Sequence, residues 1–456
     1  MKKYHVKPRG ARFFLVVLIA VVAMIAAACS SSSDTTTTQE TGGEGSTTTA
    51  AGSMPDLSGQ SVEVAAVWSG NEQANFQKVL DQFASDTGAS VTFTSTGDDI
   101  ATVLGTSIEG GSPPTVAILP QPGLLNELAS KGSLTDIGPI AGDLVDQNYA
   151  PVWRDLGSVD GTLYGVWFKA ANKSTVWYNT QLFDDAGATV PATWDDFLTQ
   201  AKKISDSGIT PVSVGGADGW TLTDWFENVY LRTAGPDMYD QLTTNDIQWT
   251  DQSVKDALSK LADVFGDPAL LSGGVDTALQ NGFVPSVTRV FGDSPEAAIV
   301  YEGDFVAGVI SDETNSVVGT DALFFAFPSI DGSEPSVVGG GDVAVLLDDT
   351  PAGQALIQYL ATPEAAEIWA SNGGFVSPNK AVDPAVYPDD ITRQIATELA
   401  GATVFRFDMS DLQPPEFGGT PGQGSWAGLQ DFLAHPTEID RITQEMADAA
   451  NKAFGG

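Results

Sequence analysis

The chain is poor in three residue types, and each shortage removes a class of function. It has one cysteine, Cys29, in 456 residues, so no internal disulfide can form. It has two histidines, His5 and His435, which with a single thiol give no ligand set for a metalloenzyme, and neither metal nor cofactor is expected. It has 21 lysines and arginines against 59 aspartates and glutamates, a formal charge of −38. Such a surface repels phosphate backbones and anionic headgroups, which excludes nucleic acid as a partner. The acidity otherwise reads as solvation. Repeats of solenoid length are also missing.

Long apolar runs are scarce too. The main one, residues 13–28, follows Lys2, Lys3, Lys7, Arg9 and Arg12 and ends in Ala26-Ala27-Ala28. A basic start, an apolar run and small residues make residues 1–28 a signal peptide. The run falls short of the roughly 20 residues that span a bilayer, which disfavours an uncleaved anchor. Cys29 directly after it, followed by four serines, looks like the lipidation site of a bacterial lipoprotein, with Ala26 where leucine is most common. Cleavage there removes five basic and no acidic residues and takes the formal charge to −43. Residues 29–57 are rich in Ser, Thr and Gly with no hydrophobic period, which reads as a flexible tether. The folded part is therefore expected on the extracellular face of the cell membrane, held by a lipid.

From residue 58 strands alternate with helices. Val62, Val64, Ala66 and Trp68 share one face of a strand, and Ser69-Gly70-Asn71-Glu72 fits a capping box that opens a helix carrying Phe76, Val79, Leu80 and Phe83. Strands near 91–95 and 115–119, each followed by a helix, imply parallel βαβ units in an open α/β sheet. Ligands bind at the carboxyl ends of such strands. Trp68, Asn71, Glu72, Asp98, Asp99 and Gln121 become candidate site residues on that ground. Each keeps a structural alternative: Glu72 as the capping carboxylate, Trp68 as core, Asp98 and Asp99 as helix caps, Gln121 as part of a turn.

Residues 163–179, LYGVWFKAANKSTVWYN, set two apolar, aromatic-rich runs around a polar break at 169–173, which reads as a crossover between two lobes. Residues 337–347, VVGGGDVAVLL, repeat that layout, and their glycines tolerate the backbone changes a hinge needs. The expected division is 58–167 with 342–375 in one lobe and 168–341 with 376–456 in the other. In the second, helices are predicted over 253–265 and 276–283, and a short strand at 297–301 closes in Glu302-Gly303-Asp304-Phe305.

Taken in order and spacing, residues 86–92, 111–115, 163–166, 177–179, 191–197, 298–305, 339–345 and 372–378 resemble the extracellular solute-binding proteins of ATP-driven importers. The likeness is to the carbohydrate-binding group that includes maltose-binding protein, and it covers residues 60–455. It implies a type II-like, two-lobed periplasmic-binding-protein fold, α/β with open sheets flanked by helices and a ligand cleft between the lobes. It also implies a carbohydrate ligand, the permease subunits of an ABC importer as partners, a monomer, and hinged closure in place of catalysis. Residues 223–227 with 230–232, and 405–413 with 422–426, are similar to a subgroup often associated with α-glucoside uptake.

A sugar offers apolar ring faces, which aromatic side chains cover, and hydroxyls, which Asp, Glu, Asn, Gln, Lys and Arg satisfy. The resemblance places Lys169 as a polar ligand contact, with Asp342 a carboxylate it could pair with. It places Glu302, Asp304 and Phe305 in the turn that supplies a stacking aromatic in the family. Here Gly-Asp-Phe replaces a Gly-Pro-Trp type of turn, which moves weight from Phe305 to Asp304 as a hydroxyl acceptor. Trp220, Trp225 and Trp426 are the aromatic candidates of the second lobe, with one of Trp220 and Trp225 expected in the core. Arg406 and Asp408 are expected to pair with each other. The rivals are a secreted glycoside hydrolase, which also wants aromatics and paired carboxylates, and an adhesin, which predicts no domain closure.

Overall fold

A computed structural model of the chain describes residues 54–455, so the signal peptide, Cys29 and most of the tether lie outside the described residues. In chain order the first strands are β1 (Ser61–Ala66), β2 (Ser90–Ser95), β3 (Val116–Leu119), β4 (Ser158–Val159), β5 (Thr162–Leu163) and β6 (Gly165–Asn172). They are followed by β7 (Thr175–Asn179), β8 (Val212–Ser213), β9 (Ile299–Glu302), β10 (Ala322–Ala326), β11 (Ser336–Leu346) and β12 (Val404–Phe407). One sheet runs β12-β11-β3-β1-β2, with β6 also paired to β11, and a second runs β10-β7-β9-β8. Strand β1 is parallel to β2 and β3, the βαβ arrangement its alternating neighbours require.

Each sheet has its own core. In β1 Val62 and Val64 are buried while Ser61 and Glu63 face solvent, whereas the central strand β3 is buried along its whole length, as a strand covered on both faces must be. The first core gathers Phe76, Trp167, Phe168 and Trp369, and the second gathers Trp225, Tyr230, Trp249 and Tyr301. A smaller cluster around Trp177, Val300 and Ile310 lies against the other face of the second sheet. The expected single helix over 276–283 is two, Gly274–Gln280 and Phe283–Phe291, because Asn281-Gly282 leaves helical geometry between them.

The crossovers are tighter than their sequence suggests. Strand β6 is buried throughout and continues to Asn172, so the polar break shrinks to Lys173 and Ser174. Lys169 stays in the strand, opposite Asp342 of antiparallel β11. Gly339, Gly340 and Gly341 sit inside the continuous strand β11 and none has a positive φ. Their missing side chains serve packing instead. A Cβ on Gly341 would lie 2.5 Å from the Lys169 carbonyl oxygen, and one on Gly339 would enter the Phe405 ring. Strand β12 joins the first sheet parallel to β11, and the chain then returns to the second core at Met409. This makes a third crossover, which the pattern of residues 376–456 does not announce. Among the described residues no helix is long and apolar enough to cross a membrane.

Candidate functional site

Three first-lobe loops and four second-lobe segments bring their side chains to the space between the sheets. The helix Gly70–Thr87 begins directly after β1, but its N-cap Ser69 makes no side-chain cap bond, so the expected capping box does not form. The Glu72 carboxylate accepts from Lys169 Nζ at 2.5 Å. That buried ammonium also lies 5.9 Å from the Trp68 ring, 5.7 Å from Phe305 and 5.2 Å from Trp369, within cation–π range of all three. Burial pushes the Lys169 pKa down, but Glu72 and Asp342 outweigh it and hold the group charged. Asp342 is therefore a neighbour of the ammonium, and Glu72 is its bonded partner. Burial drives the Asp342 carboxyl up to about 7 against the pull of Lys169.

Four residues on, Lys173 Nζ meets Asp408 Oδ2 at 2.5 Å, Asp224 Oδ1 at 3.2 Å and Asp411 Oδ2 at 3.5 Å, and sits 5.8 Å from the Trp220 ring. Burial pushes Asp224, Asp411 and Glu302 well above the usual carboxylate range. Asp408 is held low in spite of its burial, because Lys173 and hydrogen bonds from surrounding donors stabilise its charge. Asp408 also caps the short helix Met409–Leu412 through the Asp411 amide. The expected Arg406–Asp408 pair is absent: β12 ends at Phe407, Asp408 turns away as the cap of the following helix, and the Arg406 guanidinium pairs with Asp240 at 2.6 and 2.9 Å.

The remaining candidates divide. Trp225 is 1% exposed and packs edge-on against Tyr301 and Phe265, so it is a core residue and leaves the site. Trp68, edge-on to Phe76 and Trp369, belongs to the first core but forms the wall behind Lys169. Trp220 instead packs with Phe305, which lies within reach of Lys169, so both rings line the space between the two lysines. Asp304 Oδ1 accepts from the Asn172 amide at 2.8 Å, and burial lifts its carboxyl to about 6 against Lys169. Asn71 lies near Asp312 of the helix Val306–Glu313, whose carboxyl is raised by burial against the opposing influence of Asn71.

Asp98 and Asp99 precede the helix Ile100–Glu109, and neither side chain caps it. Asp98 keeps a solvent-accessible surface, yet its surroundings raise its carboxyl to about 6 through desolvation, then through Asp218 and Asp99. Asp218 lies in the loop before the helix Trp220–Ala234, so the charge that acts on Asp98 comes from a distant part of the chain. Gln121 is buried with its amide against Gly419, and Trp426 packs on Gly219 at the start of the Trp220 helix. Asp224 Oδ2, Glu302 Oε2, Asp304 Oδ2, Gln121 Oε1 and Trp426 Nε1 are buried with no hydrogen-bond partner among the described residues. A surface hollow of about 510 Å³, lined by residues that include Lys255, Glu438 and Arg441, contains none of these residues.

Lys173, Asp218 and Asp411 were not singled out by sequence, and Asp408 was named only as the expected partner of Arg406. The signal for Asp408 and Asp411 was the similarity of residues 405–413, but adjacency to Arg406 diverted the reading of Asp408 into a local ion pair.

Residues 68–367 match the model of the bacterial extracellular solute-binding protein family. The chain belongs to that family. Two relatives extend the match across most of its length. The osmoprotective compounds-binding protein GgtB of Synechocystis is 34% identical over 386 residues, covering 83% of this chain and 90% of its own. The alpha-glucosides-binding periplasmic protein AglE of Rhizobium meliloti is 34% identical over 400 residues, 84% of this chain and 86% of its own. Among solved structures, a chitin oligosaccharide binding protein superposes with a TM-score of 0.76 at 21% identity, covering 87% of this chain and 99% of that one. Maltose-bound MalE3 of T. maritima superposes at 0.69 with 17% identity, over 86% and 99%. These similarities establish the two-lobed fold of a solute receptor.

Proposed function

We propose that this receptor binds an uncharged carbohydrate, an α-glucoside or short oligosaccharide, in the cleft between its lobes and delivers it to the permease of an ABC importer. The observation that carries the reading is the set of five buried, unpartnered polar atoms on candidate residues, of which those of Asp224, Glu302 and Asp304 belong to groups near Lys173 or Lys169, the two lysines that Trp220 and Phe305 flank. Gln121 Oε1 accepts, the carboxyl oxygens accept or, where they carry a proton, donate, and Trp426 Nε1 donates; a sugar hydroxyl both donates and accepts and can satisfy each. A buried polar atom left without a partner costs about 1–3 kcal/mol, so a ligand that supplies the missing bonds stabilises the closed cleft strongly. Trp220, Asp224, Asp98, Gln121, Lys169, Glu302, Asp304, Phe305 and Trp426 are the proposed ligand contacts, with Glu72, Asn71, Asp99 and Asp342 around them. Closure bends the crossovers at 169–174 and 336–342, and these separate the proposed lobes. A lipid on Cys29 holds the monomeric receptor at the outer face of the membrane, where the tether lets it reach the permease.

The reading is tested by titrating the protein with maltose, trehalose, sucrose and longer α-glucosides while following tryptophan fluorescence. Saturable binding with no product formed supports a receptor. Turnover of the glucoside makes it a hydrolase, and silence across the panel with a response to peptides or polyamines removes the sugar reading.

A further inference from the structure

The stretch TDWFENVYLR, residues 223–232, drew attention in the sequence, yet Trp225 is core and only Asp224 reaches toward the cleft. What the rest of the motif does follows from helical spacing. Asp224, Glu227, Asn228 and Arg232 stand at i, i+3, i+4 and i+8 of the helix Trp220–Ala234, which puts them along one face. All four are buried. Polar groups so placed need partners, and here the partners are the three crossovers.

Asn228 Nδ2 donates to the Lys173 carbonyl at 2.8 Å and its Oδ1 accepts from Ser174 Oγ at 2.6 Å, which holds the first crossover. Arg232 Nη2 donates to the Ser336 carbonyl at 2.6 Å, where the second crossover enters β11, and its Nη1 steadies Asn228 Oδ1 at 2.9 Å. Glu227 accepts from the Met409 amide at 2.6 Å, the Ser410 amide at 2.9 Å and the Tyr239 hydroxyl at 2.7 Å, which holds the third. Ser174 Oγ ties the first to the second by accepting from the Val338 amide at 2.9 Å. The same helix offers Trp220 and Asp224 to the cleft at its other end.

We propose that this helix is a clasp that couples occupancy of the cleft to the angle of the hinge, with Glu227, Asn228 and Arg232 as positioning residues that touch no ligand. When the lobes rotate, all three crossovers bend, and the clasp confines that bending to the segments on the first-lobe side of its grips. A ligand that pulls on Trp220 or Asp224 moves the clasp and therefore all three crossovers together. The coupling rests on the reading of the cleft as a closing ligand site.

Glu227→Gln is the sharpest test, because it keeps the size of the side chain but presents an amide N–H₂ where one crossover amide needs an acceptor. Small-angle scattering on the ligand-free protein reads the clasp without any ligand: the variant is expected to show a changed radius of gyration while its melt remains a single transition. With a saturating α-glucoside identified from the panel, Glu227→Gln is expected to bind about tenfold more weakly and to contract less at full saturation. Asp224→Asn, which alters a cleft contact, is expected to weaken binding yet contract fully once saturated. Tyr239→Phe, which removes one bond to Glu227, is expected to shift affinity in the same direction by about threefold. A wild-type radius in ligand-free Glu227→Gln, with or without wild-type contraction, overturns the clasp. A wild-type protein that ignores every glucoside defeats the sugar reading and leaves the ligand-free scattering to decide the clasp.

Discussion

Two lysines four residues apart meet opposite surroundings. Lys169, with 4% of its side chain exposed, is enclosed by the rings of Trp68, Phe305 and Trp369 and bonded to Glu72, whose own side chain is 40% exposed. Lys173, 12% exposed, faces Asp224, Asp408 and Asp411, which are 0%, 1% and 11% exposed. One ammonium balances a carboxylate that water can still reach, and the other balances carboxylates that water reaches little or not at all. The difference teaches that the first is suited to exchanging partners, as a ligand contact must, while the second is bound into the fold. Chain direction explains the contrast: Lys169 lies within β6, paired to β11 of the first sheet, and Lys173 lies past its end, against the helix Trp220–Ala234, whose buried face joins the second core.

The comparison breaks most visibly at Lys173. Lys173→Met leaves Asp224, Asp408 and Asp411 without a cation, and removing one partner of a buried ion pair costs about 3–5 kcal/mol. The urea midpoint should fall accordingly, and an unchanged midpoint would mean the cluster does not depend on its lysine. Lys169→Ala should lose less, about 1–3 kcal/mol, because Glu72 can resolvate and Asp342, already lifted to about 7, can keep a proton. Its larger effect is expected in ligand affinity, about tenfold weaker for the α-glucoside selected by fluorescence titration. Unchanged affinity with reduced stability would remove Lys169 from the site.

Much of the frame was legible because it depends on local pattern. The β1 alternation and the succession of strands and helices both depend on residues close in sequence. Strand ends were legible, which is why Glu72, Asp98 and Gln121 became candidates, whereas Lys169, inside β6, came from the resemblance. Site chemistry was not legible where partners come from afar. Glu72 lies 97 residues from Lys169, and Lys173 lies 235 from Asp408, so neither pair leaves a spacing to read. The Arg406–Asp408 expectation failed for the same reason in reverse, as proximity in sequence stood in for proximity in space. The glycines of β11 were legible as unusual, but only the structure shows Phe405 and the Lys169 carbonyl occupying the room they leave.

Titration sharpens the contrast between the two surroundings. The Asp342 carboxyl is raised by burial, against Lys169, from an ordinary 3.8 to about 7, so between these values the folded state holds a proton that the unfolded state has released. Stability from this group is greatest at low pH and falls as pH rises through the window, by at most about 1.4 kcal/mol per unit. Asp408 has the opposite sign, its stabilisation present above the ordinary value and lost as pH falls toward 2. Asp342→Asn should therefore flatten the decline in urea stability between pH 4 and 7 and leave the acid limb in place. A decline as steep as in the wild type would assign it to other carboxylates.

The smallest effect belongs to Glu72. Its pair with Lys169 is partly open to water, so Glu72→Gln should change stability by only about 0–1 kcal/mol at neutral pH. Its informative consequence falls on a neighbour. The Glu72 charge pushes Asp342 up, and without it only burial opposes the pull of Lys169, and more weakly Lys173, on the ionised Asp342. The stability decline assigned to Asp342 should then move to lower pH in Glu72→Gln, while the acid limb set by Asp408 stays where it was. A shift of both limbs would show that the two lysines share one electrostatic network, and a shift of neither would show that Glu72 is too well solvated to influence the interior.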